Sequence, residues 1–154
     1  MRYQIKNMKD LEKFAKEFSK YVKAGDVFSL VGDLGAGKTS FVQFVGKYLG
    51  IKDYITSPTF SILNVYRGEI GLNHADFYRL EDEREIEALD YEAIMYPEGE
   101  ISFIEWAEKV RSYMPDDAIE IFINYEYEGR SIEISDKTLR GRYIGDKINE
   151  SFGN

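Results

Sequence analysis

The 154-residue sequence contains no cysteine, one histidine and three prolines. The absence of cysteine excludes a disulfide framework and a thiolate metal site. No segment approaches the run of about 20 apolar residues that a membrane-spanning helix needs. Residues 1–6 lead into a charged amphipathic pattern, whereas a secretion signal would have an apolar centre. We therefore expect a cytoplasmic protein that makes no contact with a membrane.

Positive charge is also scarce, because 20 Lys and Arg residues face 28 Asp and Glu residues, which gives a net charge of −8. This balance excludes the basic surface that a protein needs to hold a nucleic-acid backbone by itself. The densest acidic stretch, residues 81–87, suits either a solvated helix start or a docking face for a basic partner. Any contact with nucleic acid is thus expected to be indirect.

The most informative pattern that is present is Gly-Asp-Leu-Gly-Ala-Gly-Lys-Thr at residues 32–39, a complete G-x-x-x-x-G-K-[ST] phosphate-binding loop. Its glycines let backbone N–H groups turn toward a polyphosphate, and the positive end of the next helix adds to this attraction. Lys38 is expected to reach the β and γ phosphates, and the Thr39 hydroxyl to bind Mg²⁺. A glycine-rich turn that binds nothing is the alternative, but it would not require Gly-Lys-Thr at its end.

Apolar spacing predicts that helices and strands alternate along a single domain over residues 1–154, whose 44% apolar content is sufficient for one core. We expect a three-layer α/β P-loop fold whose sheet is mixed, because hairpins interrupt the parallel pattern. The tail over residues 137–152 is only weakly periodic. The predicted elements are a helix between Asn7 and Gly25, a strand at 27–31, a helix ending at Gly50, hairpin strands at 60–66 and 70–76, a helix over 83–95, a strand at 101–106, a short helix at 108–113, and a hairpin of 119–127 and 131–135 turning at 128–130.

Two acids stand at the ends of predicted strands, Asp76 and Glu105. Open α/β sheets bind ligands at the carboxyl ends of their strands, so Glu105 occupies the place of a Walker B acid, although Asp is commoner there. Surface acids at strand ends are the plainer interpretation. Thr59 lies in a Ser-Pro-Thr turn where switch segments of nucleotide hydrolases contact the γ phosphate. His74 would share a face with Asp76, yet a lone strand histidine is more often structural.

Four separated motifs together resemble the bacterial TsaE family, formerly YjeE, the ATPases of tRNA threonylcarbamoyladenosine synthesis. They are Gly-Asp-Leu-Gly-Ala-Gly-Lys-Thr at 32–39, Ser-Pro-Thr-Phe at 57–60, His-Ala-Asp-Phe-Tyr-Arg-Leu at 74–80 and Ile-Glu-Trp-Ala-Glu-Lys at 104–109. The resemblance implies an Mg²⁺-dependent ATPase that works with TsaB and TsaD, which together with TsaC modify adenosine 37 of tRNA. It also implies that tRNA is reached only through that complex.

The resemblance further implies roles for individual residues. Lys38 would bind phosphate, Thr39 and Glu105 would serve Mg²⁺, and Asp76 would position or deprotonate water, so that Lys38, Asp76 and Glu105 form the catalytic set. Arg79 and Trp106 lie in family motifs as site-edge or partner-contact residues. The predicted nucleotide-binding residues are Asp33, Leu34, Gly35, Ala36, Gly37, Lys38, Thr39, Ser40 and Thr59. The base-contacting segments, expected near residues 5–14 and 135–145, show no motif.

Three other functions stay open at this point. A small-molecule kinase would share the loop, but it would need a second-substrate pocket and a lid carrying arginines, and only Arg79 and Arg84 fall near the middle of the chain. A GTPase is disfavoured because Asn-Lys-x-Asp is absent from the sequence. A non-enzymatic subunit could use ATP only to order a partner interface. Since no arginine is clearly placed as a transition-state finger, we expect slow hydrolysis by the chain alone.

Overall fold

In the computed structural model, which describes residues 2–152, the strands form one seven-stranded sheet. These strands are β1 (Arg2–Ile5), β2 (Val27–Val31), β3 (Leu63–Tyr66), β4 (Gly71–Asp76), β5 (Glu100–Glu105), β6 (Ile119–Glu126) and β7 (Gly129–Ile134). The α-helices are α1 (Met8–Ser19), α2 (Lys38–Tyr48), α3 (Tyr91–Met95) and α4 (Leu139–Phe152), and 3₁₀ helices span Glu83–Ala88 and Ala107–Tyr113.

The sheet has the strand order β1-β7-β6-β2-β5-β4-β3 and mixed direction. Strand β2 lies in parallel between β5 and β6, and β4 is parallel to β5. The outer pairs β3·β4, β6·β7 and β1·β7 are antiparallel. The expected mixed α/β sheet is therefore confirmed. The carboxyl ends of β4, β5, β2 and β6 meet at one edge, where the loop after β2 begins.

The two faces of the sheet are covered by different layers. Helices α1, α2 and α4 cover one face over a large apolar cluster, whose centre contains the rings of Phe14, Phe18, Phe28, Phe41 and Phe103. Neighbouring rings in this group have centroids 5.1 to 6.4 Å apart. A smaller cluster on the other face packs beneath α3 and the two 3₁₀ helices. Each fully buried phenylalanine contributes about 1.5–3 kcal/mol, so the first face supplies most of the packing energy.

Two of the predicted helix ends are confirmed, and a third is wrong. Asn7 caps α1 by accepting a hydrogen bond from the Asp10 N–H (3.0 Å), and α2 ends just before Gly50, whose φ is +80°. Helix α1 ends at Ser19, however, well before Gly25. Gly25 instead takes a φ of +101° in the turn before β2. The prediction that Gly25 ends the helix was wrong, because the glycine belongs to that later turn.

Three predicted elements of the middle of the chain are shorter or broken. Strand β3 begins at Leu63, later than residue 60, because Ile62 has a φ of 69° and its N–H donates to the Pro58 carbonyl (2.7 Å). The expected helix over 83–95 is split at Leu89, whose backbone is extended. Strand β5 ends at Glu105, since Trp106 has a φ of 60°.

The C-terminal region contains one displaced turn and one unpredicted helix. Pairing of Glu126 with Gly129 leaves residues 127–128 as the hairpin loop, so the predicted turn at 128–130 lies too late. Helix α4 buries Gly141, Ile144, Gly145 and Ile148, and its two glycines weaken the apolar periodicity. None of the helices formed by residues 2–152 has the length and apolar character needed to cross a membrane.

Candidate active site

The loop between β2 and α2 needs glycine at three positions. Gly35 and Gly37 have φ values of +79° and +114°, which favour glycine because it has no side chain to clash with the backbone. At Gly32, a Cβ atom would lie 2.4 Å from the Ile123 carbonyl oxygen of β6. Gly37 is also the N-cap of α2, and as a glycine it has no side chain that could accept a hydrogen bond from the first turn. The loop therefore turns tightly and leaves the first N–H groups of α2 available to an anion.

Lys38 folds back into the curl of this loop. Its Nζ donates to the Gly32 carbonyl (2.5 Å) and to the Asp33 carbonyl (3.1 Å). The same atom lies 3.9 Å from Oε1 of Glu105. The ammonium group thus sits between the loop and the end of β5. From this position it can exchange two carbonyl partners for phosphate oxygens.

A cavity of about 850 Å³ lies over the loop and gathers most of the predicted residues. Ala36 is the predicted loop residue that does not line the cavity. It is fully buried, and its N–H donates to the Asp33 carbonyl (3.0 Å). The predicted residues in the lining are Asp33, Leu34, Gly35, Gly37, Lys38, Thr39, Ser40, Thr59, Asp76 and Glu105. The cavity volume is typical of sites for small-molecule ligands.

Asp76 and Glu105 stand side by side at the ends of β4 and β5, where they are Cα partners in the sheet register. Each is only 5% exposed. Oδ1 of Asp76 accepts the Tyr78 N–H (2.9 Å), and Oδ2 accepts the Thr59 hydroxyl (3.2 Å). The Ser57 hydroxyl lies 2.8 Å from that of Thr59. The Ser-Pro-Thr turn is thereby tied to the carboxylate of Asp76.

His74 has a specific partner in the site. Its Nε2 lies 2.8 Å from Oε2 of Glu105, and its side chain is completely buried. Within residues 2–152, the other ring nitrogen of His74, Nδ1, has no hydrogen-bond partner. A proton on Nε2 therefore lets the ring donate a hydrogen bond to Glu105. His74 then holds one oxygen of Glu105 while the other faces Lys38. Sequence reasoning placed His74 on the face of Asp76 but did not identify this contact.

The donors around the loop fit Mg²⁺ in one particular way. Over residues 2–152, no group of three or more His, Cys, Asp or Glu side chains could hold a metal ion. Mg²⁺ in phosphate-loop sites takes only one or two protein ligands and completes its shell with water and phosphate. The Thr39 hydroxyl and the Glu105 carboxylate line the same cavity and provide the required oxygen atoms. These residues suit an ion that arrives with a nucleotide.

Two aromatic side chains, Tyr78 and Trp106, line the cavity near these acids, and cation–aromatic contacts lie in the same segments. The rings of Tyr78 and Trp106 lie 4.9 Å apart, and Nζ of Lys109 is 5.7 Å from the Tyr78 ring. The Arg79 guanidinium stacks over Phe60 at 4.5 Å. Trp106 is 42% exposed and lines the cavity, which agrees with a position at the edge of the site.

The other end of the cavity contains residues that sequence reasoning did not identify. Asn124 and Arg130 of the β6–β7 hairpin line it together with Met8 at the start of α1. Met8 falls within residues 5–14, one of the two segments expected near a nucleobase, whereas the hairpin residues lie outside the second. No local motif marks them, because only the pairing of β6 with β2 brings them to the loop.

A glycine-rich loop between a central parallel strand and a helix, with acids ending the neighbouring strands, defines a P-loop protein of the α/β class. The family model described as "Threonylcarbamoyl adenosine biosynthesis protein TsaE" matches residues 5–132. The chain belongs to the TsaE family of tRNA threonylcarbamoyladenosine biosynthesis proteins, which confirms the resemblance inferred from its motifs.

Individual relatives agree with this assignment. The chain is 37% identical over 124 residues to the TsaE protein of Bacillus subtilis, covering 80% of this chain and 77% of the relative. It is 45% identical over 119 residues to TsaE of a Nostoc species, covering 73% and 71%. Among solved structures, the crystal structure of YdiB from Bacillus subtilis matches with a TM-score of 0.80 and 27% identity, covering 99% of this chain and 95% of YdiB.

Proposed function

We propose that this chain is a single P-loop ATPase domain over residues 1–154 that binds and hydrolyses ATP with Mg²⁺ in the cytoplasm. In this proposal it acts with a TsaB–TsaD complex in the threonylcarbamoylation of tRNA adenosine 37. Membership of the TsaE family supports the pathway. The observation that carries the hydrolytic role is the buried pair Asp76 and Glu105 beside Lys38, all lining one cavity with the phosphate-binding loop.

The proposed binding step uses groups that are already aligned. Lys38 exchanges the Gly32 and Asp33 carbonyls for β and γ phosphate oxygens, while the N–H groups of the loop and of α2 surround the remaining oxygens. Thr39 and Glu105 would hold Mg²⁺. When bound there, the ion would offset negative charge on the phosphates.

Asp76 is the proposed residue for positioning the attacking water. Its carboxylate is oriented by the Tyr78 N–H and the Thr59 hydroxyl, one on each oxygen. An ionised carboxylate offers about four lone-pair sites, so each oxygen can still accept a hydrogen bond from water. The contact with Thr59 also links this water position to the Ser-Pro-Thr turn, which is proposed to respond to the γ phosphate.

Slow hydrolysis in the absence of partners is part of the proposal. An arginine finger contributes about 10³ to 10⁵ in rate where one is present. Over residues 2–152, the one arginine that lines the cavity is Arg130, on the side of the loop away from Asp76 and Glu105. Arg79 is stacked on Phe60. A TsaB–TsaD partner would supply the missing stabilisation, and the net charge of −8 agrees with tRNA being held by the partner.

Reconstitution of tRNA modification with TsaB, TsaC and TsaD tests this function. We expect a single turnover of tRNA modification without this chain and many turnovers with it. Lys38→Ala should abolish the multiple turnovers, whereas the exposed control Lys52→Ala should retain them. Product formation that does not depend on the chain would refute the assignment. Transfer of the γ phosphate to a metabolite without release to water would favour a kinase. A binding-competent but hydrolysis-deficient Asp76→Asn variant that sustains many turnovers would favour a nucleotide-gated binding subunit.

A further inference from the structure

The cavity has two chemically different ends. Asp76, Glu105 and Thr59 line one end, and Met8, Asn124 and Arg130 line the other. Strands β5 and β6 lie on opposite sides of β2, so the phosphate-binding loop separates these ends. A triphosphate whose γ group meets Lys38 and Glu105 must direct its nucleoside away from β5. The Arg130 end is therefore the nucleoside side of the site.

Arg130 is held against the loop from this side. It pairs with Tyr125 across the β6–β7 hairpin, and its guanidinium lies 5.4 Å from the Tyr125 ring. Nη2 donates to the Gly35 carbonyl (3.2 Å). A Cβ placed on Gly37 would lie 3.7 Å from Cδ and 3.8 Å from Nε of Arg130. The guanidinium thus sits beside Gly37, the N-cap of α2, where the first backbone N–H groups of the helix are available to an anion.

The charge of Arg130 has no counterpart in the described part of the chain. Within residues 2–152 it forms no ion pair with a carboxylate, although the protein carries a net charge of −8. Its Nε is buried and makes no hydrogen bond there. A guanidinium has five N–H donors in a planar fork that matches phosphate oxygens, and the hydrogen bond to the Gly35 carbonyl uses only one of them. Unused donors and an unpaired charge facing a cavity fit an anionic ligand.

We propose that Arg130 binds the α-phosphate of the nucleotide, so that the β6–β7 hairpin holds the nucleoside half of the ligand. The inference rests on the proposed ATP binding. The α-phosphate is common to ATP and ADP, which separates this role from that of Lys38 at the β and γ phosphates. Arg130 would then be a nucleotide-binding residue that lies in β7, far from the phosphate-binding loop in sequence.

Nucleotide affinity tests the proposal. Arg130→Ala should weaken binding of ADP and of a non-hydrolysable ATP analogue by the same factor, on the order of 10- to 100-fold for a lost charge-assisted hydrogen bond. Arg130→Lys should recover part of the loss, because it keeps the charge but not the fork. Tyr125→Phe is the matched control, since it removes the hairpin's other hydrogen bond to the loop, at the Leu34 carbonyl (3.3 Å), without changing charge. Arg142→Ala controls for loss of an exposed arginine.

Sulfur substitution on the α-phosphate distinguishes contact from support of the loop. We expect wild-type protein to bind the two diastereomers of ADP carrying one α-sulfur with different affinity, and Arg130→Ala to lose this difference. The proposal is refuted if Arg130→Ala binds ADP as tightly as wild type. It is also refuted if Arg130→Ala has the same ADP affinity as Tyr125→Phe and still distinguishes the two diastereomers. Arg130→Gln, which keeps most of the aliphatic chain, replaces Arg130→Ala if the latter unfolds. Failure of the wild-type protein to bind any nucleotide would refute the proposed function itself.

Discussion

The two flanks of the phosphate-binding loop are built in different ways. On the β4–β5 flank, His74, Asp76 and Glu105 are at most 5% exposed. On the β6–β7 flank, Asn124 and Tyr125 are exposed, and Arg130 is half-buried. Buried polar groups gain more from their hydrogen bonds and lose more when a partner is removed. The comparison teaches that the chemistry proposed for the β4–β5 flank should be sensitive to single atoms, whereas changes at the β6–β7 flank should act mainly on nucleotide affinity.

The β4–β5 flank continues the larger apolar core. Alternate residues of β5 are Ile101, Phe103 and Glu105, so the carboxylate follows two core side chains on one face of the sheet. Strand β4 repeats the arrangement with Leu72, His74 and Asp76. The aromatic cluster beneath α1 and α2 therefore forms the support on which these carboxylates are held.

The largest expected effect is at Glu105. Glu105→Ala should reduce ATP turnover by about 10²- to 10³-fold, because it removes the proposed Mg²⁺ ligand and leaves His74 without its acceptor. Glu105→Gln should be nearly as inactive but should lose less stability, since its amide oxygen can still accept from His74. Phosphate release and urea unfolding measure the two effects. Normal turnover by Glu105→Ala would remove the residue from the site.

A smaller effect is expected from His74, which contacts Glu105 and does not line the cavity. His74→Leu should lower the free energy of unfolding by about 1–3 kcal/mol, because it leaves Oε2 of the buried Glu105 without a donor. It should also raise the Mg²⁺ concentration needed for half-maximal turnover. His74→Gln should restore part of both, since its amide N–H can replace Nε2. Equal defects in the two variants would indicate that the imidazole serves only to fill space.

Thr59 should have a still smaller effect on turnover. Thr59→Val removes the hydroxyl that reaches Oδ2 of Asp76 and keeps the side-chain volume. The loss of one hydrogen bond predicts about 2- to 10-fold slower hydrolysis. Ser57→Ala, which changes only the neighbour of that hydroxyl, is the control and should have a weaker effect. Single-turnover kinetics separate this change from nucleotide binding, and a Ser57→Ala enzyme slower than Thr59→Val would contradict the order.

The smallest effect on the site is expected from Tyr3 in β1, at the outer edge of the β6–β7 flank. Burial, assisted by the nearby charge of Asp146, raises the pKa of Tyr3 to about 12, from 10.0 in an unfolded chain. A pKa raised on folding contributes stability that is fully present below pH 10.0 and is lost as the pH rises through about 12.

Tyr3→Phe should therefore reduce the fall in unfolding free energy above pH 10.0 and leave nucleotide affinity unchanged. Urea titrations at a series of alkaline pH values measure this difference. Tyr127→Phe is the control, because it removes one phenolic hydroxyl from a fully exposed side chain. A change in nucleotide affinity in Tyr3→Phe would show that the flank is coupled to its outer strand.

The two flanks also differ in how far sequence reasoning could reach them. Local patterns identified the loop, the Asn7 cap and the strand ends at Asp76 and Glu105, although the roles of these acids stay predictions. The β6–β7 flank depends on which strand lies beside β2, and a long-range pairing of this kind has no local signature. Helix α4 was missed because its inward face contains two glycines. The contact of His74 with Glu105 required knowledge of a neighbouring strand.

Within residues 2–152, two residues other than glycine, Ile62 and Trp106, have positive φ angles, and both adjoin Asp76 or Glu105. Trp106 directly follows Glu105, and the Ile62 carbonyl accepts the Asp76 N–H (2.8 Å). A conformation of this kind costs on the order of 1–3 kcal/mol. Return of Ile62 to a negative φ would release that energy and disrupt the hydrogen bond to Asp76. The segment that carries Thr59 thus ends in a strained residue, Ile62, which the backbone N–H of Asp76 holds in place. A change at the proposed water-positioning residue would therefore be felt in the Ser-Pro-Thr turn through the backbone as well as through the Thr59 hydroxyl.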